Sequence, residues 1–266
     1  MPDTQYSKGA PKAGALFAFA LLWLALLPMA AGADCPADHI DRHAAVSYVF
    51  DGDTVALADR TRVRLIGVNT PEIAHDGHRA EPYGQAAEKA LRGLLKQHGN
   101  RIGLRYDAEP RDRYGRRLAH LYLDDGTSVE TWLLKQGLAT TLAIPPNVWN
   151  IECYRRAEEA ARGARRGIWS LPRYQPLESR HIAPKTTGFR LVRGEVMRVG
   201  HSRKSVWLNL KGGVALRIDR RELHYFSALD IDHLRGKTVL ARGWLRPYRN
   251  ELRMRVRHPA ALQILP

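Results

Sequence analysis

A mainly β fold in two units is what this sequence predicts. Three observations predict it. Short segments of alternating apolar and polar residues recur along both halves of the chain. Asp- and Gly-bearing turn signals separate them. A proline-bearing stretch with little periodicity, residues 171–188, lies between the halves. At 266 residues and 44% hydrophobic, the chain has material for one or two compact cores, and its Gly and Pro content is that of a globular protein.

The N-terminus reads as a targeting segment. Lys8 and Lys12 precede an apolar run from Ala13 to about Leu27, followed by Pro28. Ala31-Gly32-Ala33 has the small-x-small pattern of a signal-peptidase site, so residues 1–33 are expected to be removed by cleavage after Ala33. The alternative is a retained anchor, but the run is shorter than the roughly 20 residues a spanning helix needs. Asp34 before Cys35 excludes a lipoprotein cleavage site, and no other segment is apolar enough to span a bilayer. The expected location is therefore periplasmic or secreted. Cys35 and Cys153 both survive cleavage. In an oxidising compartment they form one disulfide; the alternative is two free thiols.

The first unit, residues 34–170, opens with strands. Val46–Phe50 and Thr54–Leu57 flank the turn Asp51-Gly52-Asp53. Residues 62–68 alternate, with Val63 and Leu65 on one face and Arg64 on the other. A helix is predicted from about Tyr83 to Gln97, with the stripe Ala87, Ala90, Leu91, Leu94 and Leu95 and a stop at Gly99. Strands follow at 101–106 and 118–123. Two more helices, 129–136 and about 151–166, stop at Gly137 and Gly167. Residues 171–188 read as a linker. In the second unit, residues 189–266, strands are predicted at 190–199, 205–210, 214–218, 238–245 and 252–256, with a helical stretch around 221–234. Five strands with a helix before the fourth suggest a small OB-fold barrel.

Charge divides unevenly. The chain carries a net +15, and residues 189–266 hold 17 Lys and Arg against 6 acids, whereas residues 34–188 hold 23 against 20. Such a surface attracts polyanions: nucleic acid, anionic lipid or acidic polysaccharide.

Three patches of the first unit carry chemistry together: Asp51-Gly52-Asp53-Thr54; Arg64 through Val68 with Asn69-Thr70-Pro71-Glu72; and Asp112-Arg113-Tyr114-Gly115-Arg116. Cutting a phosphodiester needs an activated water, neutralised phosphoryl oxygens and a stabilised leaving oxygen. A carboxylate, a hard cation and forked arginines supply these. In this order and spacing, from about Val46 to Trp169, the patches resemble the staphylococcal nuclease, or thermonuclease, family. Tyr83-Gly84, Gln136-Gly137-Leu138-Ala139 and Gly167-Ile168-Trp169 extend the resemblance. It implies a five-stranded OB-type barrel with three helices. It implies calcium-dependent cleavage of DNA and RNA leaving 3′-phosphate ends.

Carried over by position, the resemblance makes Arg64 and Arg116 the grip on the scissile phosphate. Glu72 becomes the carboxylate that orients or deprotonates water. Asp53 becomes a calcium ligand, Thr70 a carbonyl donor to the metal, and Tyr114 a tyrosine near the terminal phosphate; Asp51 sits beside the metal site. Two departures stand out. Asn69 occupies the place of a second metal-binding aspartate, so calcium binding is expected to be weak, on the order of 10⁻⁴–10⁻³ M, or another divalent cation preferred. Thr140 through Pro146 lacks the pair of tyrosines that stack on a substrate base. His75 and His78 near Glu72, like His39 and His43, read as exposed residues rather than a transition-metal site. The second unit more loosely resembles OB-like domains that follow thermonuclease domains. Its Trp207 and Phe226 are expected to fill the barrel core, which leaves charge as the binding argument. The expected partner is DNA or RNA, the expected state a monomer without a protein partner. The alternative is a protein of the cell envelope that binds nucleic acid or acidic polymer without cutting it.

Overall fold

The computed structural model describes residues 1, 3, 4, 34–74 and 79–266. The predicted signal peptide, apart from residues 1, 3 and 4, lies outside the described residues, as do His75 and His78. Among the described residues no helix is long and apolar enough to cross a membrane.

The first half runs β1 (Arg42–Asp51), β2 (Thr54–Leu57), β3 (Arg62–Leu65), β4 (Gly67–Asn69), α1 (Gly84–Gln97), β5 (Arg101–Arg105), β6 (Arg117–Tyr122), α2 (Val129–Lys135), β7 (Thr140–Leu142) and α3 (Ile151–Gly163). Five of these strands close a barrel in the order β1-β2-β3-β6-β5, and β3 runs parallel to β6. Alternation does the work: Val55, Val63, Leu65, Ile102, Leu104 and Leu121 point inward and are fully buried. The stripe on α1 covers this core through Ala87, Leu91, Leu94 and Leu95. Helix α2 starts where the Ser128 hydroxyl accepts a hydrogen bond from Thr131 N at 3.2 Å, an N-cap.

The expected strand over 62–68 is two strands. Gly67 sits at φ +85°, and a Cβ there would lie 2.4 Å from a Tyr154 ring carbon. A side chain is therefore excluded on both counts. The chain turns out of the barrel at this point, and β4 pairs with β7, a strand the alternation did not announce. Helix α3 ends at Gly163, before its predicted end at 166, and a 3-10 turn covers Gly167–Ser170. The Cys35 and Cys153 sulfurs are joined in a disulfide, Cα–Cα 5.6 Å, which ties the chain ahead of β1 to α3.

The second half runs β8 (Pro176–Glu178), β9 (Gly188–His201), β10 (Ser205–Leu210), β11 (Val214–Asp219), β12 (Thr238–Tyr248), β13 (Glu251–Arg255) and β14 (Leu262–Leu265). Strands β9-β10-β11-β13-β12 follow one another, and β12 pairs back onto β9. Here β11 and β13 are the parallel pair. The same OB-type order, first-second-third-fifth-fourth, thus occurs twice. Strand β8, inside the stretch read as linker, adds to the second sheet beside β9. The helical stretch expected at 221–234 is two 3-10 segments, Arg220–Phe226 and Asp232–Leu234. Phe226 is buried in the second core, but Trp207 is not part of it: Val206, Leu208 and Leu210 point inward, and Trp207 stands on the outer face.

Residues 33–266 form one compact unit. A third apolar cluster joins Ala161, Ile168, Trp169 and Tyr174 to Phe189, Leu191 and Leu240. Beside it the Arg242 guanidinium on β12 donates to both carboxylate oxygens of Glu158 on α3, at 2.9 and 2.6 Å, and both side chains are largely buried. Removing one partner of a buried pair strands the other charge in low dielectric, which costs roughly 3–5 kcal/mol. Glu158→Ala is therefore expected to lower unfolding free energy by about that amount in urea titrations, while the apolar double change Glu158→Leu with Arg242→Met recovers most of it. Equal losses in single and double variants would contradict this account of the seam.

Candidate active site

The turn between β1 and β2 places Asp53 at the mouth of the first barrel, where it is buried. A buried carboxylate needs donors, and Asp53 Oδ2 has three. Thr70 N donates at 2.8 Å and Thr70 Oγ1 at 3.0 Å, and Arg64 Nη2 lies at 2.9 Å. Arg64, opposite Thr54 on β3, also donates to the carbonyls of Leu65 and Val68. It lies 3.5 Å from Asn69 Oδ1. Asn69 donates from Nδ2 to the Thr70 carbonyl at 3.2 Å, and its own carbonyl accepts from Thr140 Oγ1 on β7. Asp53, Arg64, Asn69 and Thr70 thus form one connected cluster. Asp51 lies against it, its Oδ1 accepting from Asp53 N at 2.9 Å. Burial, and then the charge of Asp53, push the Asp51 carboxyl up to about 7.

Arg116 joins at one remove. Its Nη1 reaches Thr54 Oγ1 at 3.5 Å, and Thr54 Oγ1 lies 3.3 Å from Asp53 Oδ1. Asp112 aims it: Arg116 Nε donates to Asp112 Oδ2 at 2.8 Å and Arg116 N to Oδ1 at 3.0 Å. Burial opposes ionisation of Asp112, yet the Arg116 guanidinium holds its carboxyl below the usual range. Tyr114 stands apart at the loop tip, 68% exposed, with the Arg113 and Arg116 guanidinium carbons 4.7 and 5.6 Å from its ring centre.

Glu72 is exposed, two residues beyond Thr70. Its backbone is clamped: Glu72 N donates to Glu81 Oε2 at 3.3 Å, and Glu72 O accepts from Glu81 N at 2.8 Å. Gly84 at the start of α1 approaches so closely that a Cβ would lie 2.4 Å from Glu72 O. Arg173, from the stretch read as linker, donates to Glu81 Oε1 at 2.8 Å. Sequence reasoning included Thr54 and Asp112 in its patches without giving them a role, and it missed Glu81 and Arg173, which carry no signal in the sequence.

Among the described residues no three of His, Cys, Asp and Glu converge on a metal position. The oxygens at hand are the Asp53 and Asp51 carboxylates, the Thr70 carbonyl and Asn69 Oδ1. This hard, all-oxygen set fits calcium better than a transition metal.

The closed five-stranded barrel, with the strand order first-second-third-fifth-fourth, defines a class: the OB-type barrels. Residues 62–171 match the family described as Staphylococcal nuclease homologue. A thermonuclease of Staphylococcus intermedius is 38% identical over 129 residues, 47% of this chain and 74% of the relative. A thermonuclease of Staphylococcus hyicus is 35% identical over 129 residues with the same coverage. Endonuclease YncB of Bacillus subtilis (strain 168) is 36% identical over 130 residues, 47% of this chain and 60% of the relative. The chain belongs to the staphylococcal nuclease family, and its relatives support a nuclease. The family match ends at residue 171, so it covers neither β8 nor the second barrel.

Beneath the cluster lies a buried acid. Glu130 is fully buried at the start of α2; its Oε1 accepts from Leu121 N at 2.9 Å. Burial pushes its carboxyl from the usual 4.5 up to about 8. The folded state therefore holds a proton that the unfolded chain has released, over the range between those values. Its contribution is fully present below the unfolded pKa and is lost as pH rises through about 8. Urea unfolding of Glu130→Gln, which has no proton to lose, is expected to show a flatter decline in stability from about pH 5 to about pH 9. Parallel pH profiles for the two proteins would reject the assignment.

Proposed function

We propose that the chain is an exported, calcium-dependent nuclease that hydrolyses phosphodiester bonds of DNA, RNA or both. Residues 34–170 form the cutting barrel and residues 189–266 the basic holding barrel. The observation that carries the reading is the hydrogen-bonded cluster of Asp53, Thr70, Asn69 and Arg64, with Arg116 tied to it through Thr54. The nuclease relatives support the same reading. Export is supported by the N-terminal sequence pattern and by the disulfide, a bond that persists in oxidising compartments.

Asp53, the Thr70 carbonyl and Asn69 Oδ1 would hold the cation. When bound, it would supply positive charge against the negative charge gathering on the phosphoryl oxygens. Arg64 and Arg116 donate to the non-bridging oxygens, where a planar fork fits two oxygens better than an ammonium does. Asp112 aims the Arg116 fork before substrate arrives, and Arg64, held by Asp53, exchanges its contacts to the Leu65 and Val68 carbonyls for the phosphoryl oxygens. Glu72 takes the proton of the attacking water. The water oxygen bonds to phosphorus, the bond to the 5′ oxygen breaks, and that oxygen leaves protonated by solvent. A 3′-phosphate and a 5′-hydroxyl result. The clamp of Glu81 on the Glu72 backbone, itself held by Arg173, positions the base.

One observation favours the non-catalytic alternative. The Asn69 amide donates to the Thr70 carbonyl, so an expected metal oxygen is already engaged and a carboxylate is missing beside it. The two readings separate in one assay on purified residues 34–266. Activity on labelled single- and double-stranded substrates is expected to vanish with chelator and return with calcium. Glu72→Gln is expected to lower kcat by roughly 10²–10⁴ while affinity in chelator changes little. Equal turnover by both proteins would remove Glu72 from the mechanism. Absence of new 3′-phosphate ends under every divalent cation would leave only the binding reading.

A further inference from the structure

The second barrel has an outer face with its own chemistry. Two cross-strand rows cover it. One runs Gly200, Trp207, Arg217, Arg255 and the next Arg198, Asn209, Ala215, Arg253, Arg246, because these residues are directly paired across β9, β10, β11, β13 and β12. Paired residues share a face, and the alternate residues Leu208, Leu216 and Met254 fill the core. Trp207 is therefore held outward between strands whose opposing positions include a glycine. Nothing comes closer than 3.9 Å to where a Gly200 Cβ would be.

Guanidinium groups line this face against rings. The Arg253 guanidinium carbon lies 4.7 Å from the Trp207 ring centre and 3.6 Å from that of Tyr248. Arg217 approaches Trp207 at 5.9 Å. Tyr248 is 44% exposed. Glu251 pairs with Arg253 and Asp219 with Arg217, so those charges are partly balanced. Among the described residues Arg198 and Arg246 have no acidic partner within ion-pair distance, and both are exposed. The face thus offers rings whose orientation is set by stacked arginines, flanked by uncompensated cations, on the part of the chain that holds 17 Lys and Arg against 6 acids.

A double helix hides its bases from such rings; an acidic protein or polysaccharide has no planar bases to lay on them. An unpaired strand has both an anionic backbone and exposed π-faces. We propose that the outer face of the second barrel, across β9, β10, β11, β13 and β12, is a binding site for single-stranded nucleic acid. Bases stack on Trp207 and Tyr248, and Arg198 and Arg246 track the phosphates. The ligand class follows from the nuclease reading, but the site is separate from the cutting cluster, and binding can be measured where nothing is cut.

The test uses residues 34–266 in EDTA with a fluorescein-labelled oligothymidylate, its duplex with oligoadenylate, and heparin. Trp207→Ala and Tyr248→Ala are expected each to weaken oligothymidylate binding about tenfold, with Trp207→Phe close to the parent. Duplex and heparin binding should respond to Arg198→Glu and Arg246→Glu but little to the ring changes. Oligothymidylate should quench tryptophan emission in the parent and less in Trp207→Phe. Tyr248 is exposed, so its replacement tests the face even where a Trp207 variant unfolds, as circular dichroism would show. Unchanged oligothymidylate affinity in the ring variants overturns the proposal. If the arginine changes alone matter, the face is a general polyanion surface; if neither matters, it is no binding face. Neither result bears on whether the first barrel cuts.

Discussion

One oxygen atom organises the first barrel's mouth. Asp53 Oδ2 takes the Thr70 amide, the Thr70 hydroxyl and the Arg64 guanidinium, and so ties the β1–β2 turn to β3 and to the end of β4. A carboxylate this buried is tolerated only when fully paired, and each partner is in turn fixed by it. Without Asp53, Arg64 would lose its ion pair and Thr70 its amide acceptor. Pre-aimed arginines and a gathered set of oxygens would go together. The same carboxylate is a proposed metal contact, so structural and chemical demands fall on one residue. The family match begins at residue 62; Asp53 lies ahead of it, and its place rests on this geometry.

The OB-type strand order appears twice, yet the two copies are specialised by what interrupts them. In the first, Gly67 breaks the third strand, and the freed end carries Asn69, Thr70 and Glu72 across the barrel mouth. In the second, β11 runs unbroken from Val214 to Asp219, and its outer face is available for arginines and rings instead. One frame therefore yields a polar, hydrogen-bonded corner in the first copy and a broad, cationic wall in the second. The buried Glu158–Arg242 pair and the cluster around Trp169 hold the copies together.

Much of this was legible from residues because barrel strands and amphipathic helices repeat their pattern over several turns or pleats. Val63 and Leu65 announce β3, and Ala87 through Leu95 announce α1. What escaped was short or relational. Strands β4, β7 and β8 have three residues each, too few for alternation to register, and a helix pattern over 221–234 resolves into 3-10 turns. Trp207 was assigned inward because large aromatics bury area; the phase of Val206, Leu208 and Leu210 decided otherwise. Motif residues such as Arg64 and Arg116 could be named from the family resemblance their patches carry. Partners distant in the chain could not, since Thr54 meets Arg116, and Glu81 and Arg173 support Glu72, only through folding. Arg173 in particular stands 92 residues from Glu81 in the chain.

The segment after Ala139 shows why the second barrel matters to the first. Where a relative of known type would offer stacking tyrosines, this chain has Thr140, Thr141 and Leu142, and it spends them on β7. There Thr140 holds the Asn69 carbonyl and pairs with it in register. Those residues are committed to supporting the Asn69–Thr70 loop and present no ring to a base. Tyr114 is the exposed aromatic left beside the arginines, and a single ring on a loop tip gives little grip on a strand. In the proposed reading, affinity for a polymer then comes largely from elsewhere in the same compact unit. The rings and uncompensated arginines of β9 through β13 are where the sequence concentrates both, and in the proposed reading the first barrel cuts while the second supplies the stacking that the first lacks.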